Sequence, residues 1–263
     1  MTASTQHAYF VALGDDRYMP TADASGAWRD DELHLAPVAG LLVHHMERWR
    51  EANIDPSMSF SRFGFEVLGQ IARDEISLST EVVRPGRTIE LIETTAVIGG
   101  RVTMRARAWL LQTSDTSAVA GDEFARMPSP EQCADASTLL DWPGGFIASL
   151  SALQAEGRRP GRSRAWITSD LDLVSGEPSQ PLAEFMKYLD TSNGIAVRQS
   201  PKEWMFPNVD LTVHLFRQPV GRRVGLDTRV AFGARGIGLT SSVVHDLEGP
   251  VGTIQQSLTL REF

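Results

Sequence analysis

Alternating apolar and polar residues mark long strands in the first half of the chain. Residues 59–67, 75–83 and 88–112 place apolar side chains at every second position, which is the period of a strand with one buried face. Gly99 and Gly100 interrupt the longest stretch, and two adjacent glycines supply the positive φ that a tight hairpin turn requires. The pattern therefore predicts antiparallel strands joined by short turns.

The same pattern occurs a second time, 148 positions later. Residues 60–110 align without a gap on residues 208–258, and the apolar and polar positions stay in phase. Identical residues meet at Gln70 and Gln218, Leu78 and Leu226, Thr80 and Thr228, Val82 and Val230, Arg87 and Arg235, Ile89 and Ile237, Leu91 and Leu239, and Leu110 and Leu258. We therefore predict that the chain contains one fold twice.

One apolar helix precedes the strands of each half. Residues 37–52 have apolar side chains at helical spacing, and Pro37 suits a first helical turn. Residues 182–189 likewise place their apolar side chains on one face. Strand candidates at residues 9–14 and 164–173 come before the two helices. The pattern predicts an α+β fold in which each half combines one helix with an antiparallel sheet.

Two segments lack such periodicity. Residues 15–33 are polar and contain turn residues, so we predict a loop there. Residues 113–162 form a long connector with one predicted helix near residues 146–154. We therefore divide the chain into an N-terminal unit, a connector and a C-terminal unit, at residues 1–115, 116–162 and 163–263.

Composition narrows the class of protein. The 263 residues are 42% hydrophobic, as in ordinary globular proteins, and the net charge of −8 argues against a general nucleic-acid binder. The single cysteine, Cys133, permits no intrachain disulfide, and its polar surroundings do not favour a nucleophile. Residues 1–7 lack the pattern of a signal peptide, and no apolar run reaches the roughly 20 residues of a membrane helix. These features predict a soluble, cytoplasmic protein that contacts neither membrane nor nucleic acid.

Several short motifs in the second half occur in a distinctive order and spacing. They are YLDTSNG at 188–194, PNVDLTVHLFR at 207–217, GLDTR at 225–229, GIGLT at 236–240 and VGTIQQSL at 251–258. In the first half, the resemblance is looser and depends on RPG at 84–86 and RAW at 107–109. With these motifs the chain resembles the acyl-CoA thioesterases of the bacterial thioesterase II type, particularly the actinobacterial members. The resemblance implies a tandem, or double, hotdog, in which each antiparallel sheet wraps around one helix.

The resemblance also implies three site residues. In that family an Asp at the end of the second helix, a Thr or Asn before the next strand and a Gln on the last strand hold a water that attacks the thioester carbonyl. These positions correspond to Asp190, Asn208 and Gln256. Thr191 replaces Asp190 if the helix end shifts by one residue, and Gln255 competes with Gln256, although adjacent strand residues face opposite ways.

These residue types suit hydrolysis of an acyl-CoA. A buried Asp has a raised pKa and acts as a base near neutral pH, and the amides of Asn and Gln orient a water without adding charge. The reaction requires no metal and no cofactor, because coenzyme A is part of the substrate. Residues 148 positions earlier are Leu42, Phe60 and Ala108, so the chemistry is expected in the second half only.

Further residues are candidates for substrate binding. The acyl chain is expected beside Phe185, Met186 and Trp204, and Arg217 is expected to meet the phosphates of coenzyme A. Other basic residues considered for the phosphates are Arg198, Lys202, Arg222 and Arg223. The family often has a glycine-rich entry to the first helix, whereas residues 34–37 read HLAP, which argues against an acyl-group contact from the first half.

Two other functions stay open from the sequence. A hotdog protein whose polar residues do not support hydrolysis would bind an acyl ligand without turning it over. A hydratase or dehydratase would require Asp210 and His214 to face the acyl channel, although their alternation with apolar neighbours indicates a solvated pair. His34 has no evident partner, and the adjacent His44 and His45 diverge on a helix, so no metal site is predicted. Because hotdog modules usually pair, we expect a homo-oligomer.

Overall fold

A computed structural model describes residues 8–29, 31–136 and 142–263. The N-terminal segment 1–7, for which the sequence predicted no signal peptide, and residues 137–141 of the connector lie outside the described residues. The first half contains β1 (Ala8–Gly14), β2 (Arg17–Pro20), α1 (Leu35–Asn53), β3 (Met58–Val67), β4 (Ile76–Arg84), β5 (Ile89–Ile98) and β6 (Arg101–Gln112).

The rest of the described chain adds ten strands and three short helices. They are β7 (Ala134–Asp135), α2 (Gly145–Ala148), β8 (Ser151–Gln154), β9 (Arg162–Thr168), β10 (Asp172–Ser175), α3 (Pro181–Met186), α4 (Ser192–Ile195), β11 (Trp204–Met205), β12 (Asp210–Leu215), β13 (Val224–Phe232), β14 (Ile237–Asp246), β15 (Gly249–Thr259) and β16 (Arg261–Glu262). The predicted α+β class with a long antiparallel sheet is confirmed.

The strand boundaries follow the sequence repeat. Strands β4, β5 and β6 begin 148 residues before β13, β14 and β15, respectively. Gly99 and Gly100 have φ of +56° and +74° at the turn between β5 and β6, as the glycine pair predicted. Alternation of apolar and polar residues was therefore sufficient to locate the longest strands.

The two halves form one continuous sheet of 14 described strands. They meet where β3 pairs antiparallel with β12, for example at Phe63 and Val213. At one edge of the sheet β10, which belongs to the second half, pairs in parallel with β1 of the first. Each half therefore depends on the other for hydrogen-bonding partners. Residues from both halves can lie beside each other and line one site.

The helices of the two halves differ. Helix α1 is continuous over 19 residues, and its first 13 are buried. In the second half α3 ends at Met186, and a short 3₁₀ turn (Leu189–Thr191) separates it from α4. The helices pack closely at Gly40, where a Cβ atom would lie 2.7 Å from Cβ of Lys187. This close approach brings the beginning of α1 near the broken helix.

Several sequence predictions were wrong in detail. The strand predicted at residues 164–173 is two strands, β9 and β10, and the helix predicted at residues 182–189 ends at Met186. Residues 15–33 are not only a loop, because they contain β2 and a 3₁₀ turn at Ala22–Ala24. The helix predicted near residues 146–154 is α2 followed by β8. Strands of two to four residues carry too few positions for alternation to reveal them. No helix in the described ranges is long and apolar enough to cross a membrane.

Candidate active site

Asp190 lies in the 3₁₀ turn that breaks the second helix, and only 6% of its surface is exposed. Its Oδ1 accepts hydrogen bonds from Nδ2 of Asn208 at 2.8 Å and from Nε2 of Gln256 at 2.7 Å. The structure thus brings together the three side chains that the resemblance implied, although they lie on three separate segments. The other carboxylate oxygen, Oδ2, takes no part in these two bonds.

Gln256 is fixed by a further residue that the sequence did not single out. Gln256 is fully buried on β15, and its Oε1 accepts a 2.8 Å hydrogen bond from Oγ of Ser192. This bond orients the amide so that Nε2 faces Asp190. The two sequence alternatives have other positions: Gln255 is exposed, and the hydroxyl of Thr191 donates to the carbonyl of Tyr188 at 2.6 Å.

Burial controls the ionisation of Asp190. Removal from water raises the pKa of this carboxyl to about 7, and the hydrogen bonds from Asn208 and Gln256 only partly oppose the rise. A carboxyl group with this pKa exchanges a proton close to neutral pH. Such a group is suited to accept a proton from a nearby water and to release it again.

His34 of the first half completes the polar cluster. It is the N-cap of α1, where its Nδ1 accepts the backbone N–H of Ala36 at 3.1 Å. The same Nδ1 lies 3.5 Å from Oδ2 of Asp190. Burial lowers the pKa of His34 to about 4, so the ring is neutral at neutral pH. The expectation that His34 has no partner was wrong, because the partner is more than 150 positions away in sequence.

A small cavity of about 50 Å³ adjoins these groups. Trp28 and Trp142 meet there edge to face, with ring centroids 5.0 Å apart, and Phe206 packs against both rings. The cavity is lined by Ala27, Trp28, His34, Trp142, Ile147, Asp190, Thr191, Asn193, Gly194, Ile195 and Asn208. Its wall therefore comes from the first half, the connector and the second half.

Sequence reasoning missed Trp28 and Trp142. Both lie outside the periodic segments, Trp28 in the predicted loop and Trp142 in the connector. The one available signal was a large aromatic residue within a stretch rich in turn residues. Trp142 is anchored by its Nε1–H, which donates to the carbonyl of Gly194 at 3.3 Å.

The residues predicted to bind substrate lie elsewhere. Phe185 and Met186 are fully buried in the core, and Trp204 lies on β11, which pairs with β16. Arg217 is held by both carboxylate oxygens of Asp246, at 2.6 and 2.5 Å, so its guanidinium is already paired. Within the described chain none of these four lines the cavity beside Asp190. Helical and strand periodicity identified buried faces but not which of them borders a cavity.

The geometry required for a hydratase is not present at the predicted pair. Oδ1 of Asp210 accepts the backbone N–H of Ser257 at 2.6 Å, and His214 is exposed. A cleft of about 160 Å³ adjoins the cavity and shares Trp28, His34, Asp190 and Asn208 with it. Among the residues that the structure describes, neither Asp210 nor His214 lines the cavity or this cleft. Arg222, one of the cations considered for phosphates, forms ion pairs with Glu184 and Asp172.

The comparisons with known proteins give the family of the chain. A family model for the acyl-CoA thioesterase N-terminal domain matches residues 24–111, and one for the C-terminal domain matches residues 130–260. The chain therefore belongs to the acyl-CoA thioesterase family, of the thioesterase II type. No curated protein matches the chain at a significant level.

Solved structures share the fold at low sequence identity. A hotdog-fold protein of unknown function from Alicyclobacillus acidocaldarius has a TM-score of 0.72 at 13% identity, covering 99% of both chains. Acyl-CoA thioesterase II TesB2 from Mycobacterium marinum has a TM-score of 0.65 at 12% identity, covering 97% of this chain and 96% of its own. The tesB protein of Mycobacterium avium subs. paratuberculosis has a TM-score of 0.66 at 13% identity, covering 96% of each. These similarities show the hotdog fold.

Proposed function

We propose that this protein hydrolyses the thioester bond of acyl-CoA, with Asp190 as the general base. The observation that carries the proposal is the convergence of Asp190, Asn208 and Gln256 beside one cavity. Family membership supports the same reaction class, while the assignment of residues depends on the geometry. The reaction uses coenzyme A only as part of the substrate.

The free acceptor atoms define a place for the attacking water. Asn208 uses Nδ2 to donate to Asp190 and to the carbonyl of Asp210, which leaves its Oδ1 without a partner in the described chain. Oδ2 of Asp190 is the other unfilled acceptor near the cavity. A water that donates one hydrogen to each of these oxygens directs a lone pair away from both, toward a thioester carbonyl.

The proposed reaction proceeds by addition and elimination. The water oxygen forms a bond to the carbonyl carbon while its proton passes to Oδ2 of Asp190, and the carbonyl oxygen gains negative charge. When the tetrahedral intermediate collapses, the carbon–sulfur bond breaks, and the proton on Asp190 passes to the departing sulfur. The products are a carboxylic acid and coenzyme A, and Asp190 returns to its ionised form.

The size of the cavity favours compact acyl groups. Its volume of about 50 Å³ and its tryptophan lining leave little room for a long linear chain on this side of Asp190, and the cleft of about 160 Å³ on the other side remains for the rest of the substrate. Flat indole faces also suit a planar acyl group. We therefore propose short-chain or aromatic acyl-CoAs as the preferred substrates within the family's acyl-CoA class.

The test is the release of free coenzyme A from acetyl-, butyryl-, benzoyl-, octanoyl- and palmitoyl-CoA. Wild type is expected to turn over the compact members fastest, and Asp190→Ala is expected to lose this activity while remaining folded. Equal rates in the two proteins would refute the assignment of Asp190. Saturable binding of the substrates without turnover by the wild type would instead favour a non-catalytic acyl-binding protein.

A further inference from the structure

A dense group of arginines lies where β9 begins and β13 ends. Arg162 is directly opposite Arg229 in the antiparallel pair of strands, and Arg159 pairs with Arg162 across the tight turn before β9. Side chains at directly opposite positions share a face of the sheet, so these three guanidinium groups form one row. Arg164, two residues further along β9, faces the same way. Ser163 between them is buried, so the row lies on the outer face of the sheet.

Arg198 adds a fifth guanidinium group from a separate segment. It follows the end of α4 by three residues, and its Nη1 lies 3.5 Å from the carbonyl oxygen of Val230. Gly161 in the turn has a φ of +75°, and a Cβ atom there would lie 2.8 Å from the same Nη1. The glycine therefore closes the turn and also leaves room for this guanidinium. We define the arginine cluster as Arg159, Arg162, Arg164, Arg198 and Arg229, which together line one depression.

The positive charge of the arginine cluster is largely unbalanced. Asp227 forms an ion pair with Arg162, but no carboxylate is among the described residues that line the depression. In the described part of the chain the guanidinium groups of Arg159 and Arg229 have no hydrogen-bonding or ionic partner. Like charges at directly opposite positions of neighbouring strands destabilise a sheet. The chain as a whole carries a net charge of −8, so this surface is a local exception.

The sequence repeat shows that the fold does not require arginine here. Strands β4 and β13 have the same boundaries after the 148-residue offset, and Glu81 occupies in β4 the position that Arg229 occupies in β13. The outer face of this strand therefore accepts either sign of charge. The gathering of arginines in the second half has a cost in stability that a bound anion offsets.

We propose that the arginine cluster binds a small ligand that carries two or more phosphate groups. Arginine binds phosphate through paired, parallel N–H groups, and its guanidinium stays charged at any physiological pH. The volume of the depression, about 730 Å³, is within the usual range of small-ligand sites. A long polyanion such as nucleic acid would also meet the acidic remainder of the chain, so charge confined to one depression favours a small ligand.

Two sources supply this phosphate chemistry. One is the 3′-phosphorylated adenosine diphosphate portion of coenzyme A, and this assignment rests on the proposed function. The other is a free nucleotide, which does not depend on it. The chain links the depression to the cavity beside Asp190, because Ile195 lines the cavity and Arg198 follows three residues later.

Binding measured without turnover tests the site. The probes are inorganic pyrophosphate, ADP and adenosine 3′,5′-bisphosphate, titrated into the protein in a calorimeter. Arg159→Ser/Arg229→Ser, the cluster variant, removes two guanidinium groups that have no protein partner in the described chain, so we expect an unchanged Tm. We expect its Kd for the bisphosphate to rise by about tenfold for each arginine removed. Arg87→Ser/Arg101→Ser is the matched control, because it removes two exposed arginines of the first half and should leave Kd unchanged.

Three outcomes would overturn the proposal. The first is that the wild type binds none of the three probes, and the second is that wild type and cluster variant have equal Kd values. The third is an equal loss of affinity in the cluster variant and the matched control, which would indicate general attraction of anions in place of a site. Binding of a DNA oligonucleotide that is lost in the cluster variant, with no binding of the small probes, would assign the arginines to nucleic acid.

Steady-state kinetics distinguishes the two sources of phosphate. Butyryl-pantetheine has the thioester of butyryl-CoA but no phosphate. If coenzyme A occupies the arginine cluster, the cluster variant has a raised KM for butyryl-CoA and an unchanged KM for butyryl-pantetheine. If a free nucleotide occupies it, the KM for butyryl-CoA is unchanged while the Kd for the nucleotide rises. Phosphate binding that is lost in the cluster variant, with no turnover of either thioester by the wild type, would refute hydrolysis but keep the phosphate site.

Discussion

The two halves of the molecule share their strands but differ at the helix. Strands β4 to β6 and β13 to β15 keep the same boundaries to within one residue after the 148-residue offset, whereas α1 is continuous and its counterpart is broken at Asp190. The positions equivalent to the polar cluster are Leu42, Phe60 and Ala108, all buried. The comparison teaches that an apolar sheet face preserves the fold, while a helix break and three polar residues create the site.

The first half is not a passive partner. It contributes His34 and Trp28 to the cavity, and its α1 begins beside Asp190. The second half holds a buried carboxylate, and the first half contributes His34 and Trp28 to the wall beside it. The following predictions test this difference between the halves.

Substitution at equivalent helix positions should produce the largest contrast. Asp190→Asn preserves size and hydrogen bonding but removes the base, so we expect kcat to fall by about 10²–10⁴-fold. Leu42→Met at the equivalent position of the first half conserves volume in an apolar core, and we expect nearly wild-type kcat. Steady-state release of coenzyme A measures both. Similar losses of kcat in the two variants would contradict the assignment of the base to the second half alone.

Adjacent residues on β15 provide the next contrast. Gln256 is buried and holds Asp190, whereas Gln255 is exposed on the opposite face. We expect Gln256→Ala to lower kcat by roughly 10²-fold because a misplaced base is ineffective. Gln255→Ala is the matched control and should leave kcat unchanged. The positioning role would be wrong if the two substitutions had the same effect on a protein of unchanged Tm.

The sequence predicted the fold more completely than the site. Alternation located every long strand, because burying one face of a sheet imposes that period over many residues. The family resemblance led to Asp190, Asn208 and Gln256, which the structure brings together. The roles of these three residues stay predictions until activity is measured.

The rest of the site depends on contacts between distant segments. His34, Trp28 and Trp142 lie in loops or at the start of a helix, where no periodicity indicates which way a side chain faces. Conversely, Phe185 and Met186 have the pattern of channel residues but lie in a closed core. A buried face can pack against another element or border a cavity, and the spacing of apolar residues does not distinguish the two.

The pKa of Asp190 predicts the pH dependence of both activity and stability. The base must be ionised, so kcat/KM should rise tenfold for each pH unit below about 7. The neighbouring titratable group, His34, is neutral and adds no charge that would change this profile.

The same pKa affects stability. The folded-state pKa of Asp190 exceeds the ordinary value of 3.8, so the folded protein binds more protons than the unfolded one and loses stability as pH rises from about 4 to 7. Asp190→Asn lacks this loss, and its Tm should exceed that of wild type at pH 8 but not at pH 4. A Tm difference independent of pH would contradict the assigned pKa.

Acyl-chain preference should give the smallest effect and tests the wall that the halves share. Trp142→Ala removes an indole from the cavity beside Asp190, so octanoyl-CoA should gain about tenfold in kcat/KM relative to butyryl-CoA. Trp204→Ala is the matched control, because Trp204 was expected at the channel from sequence but lies on β11, away from the cavity. The ratio of the two kcat/KM values should be unchanged in that variant. If Trp204→Ala changed the ratio and Trp142→Ala did not, the acyl chain would follow the helix face that the sequence indicated, and the cavity formed by both halves would have another use.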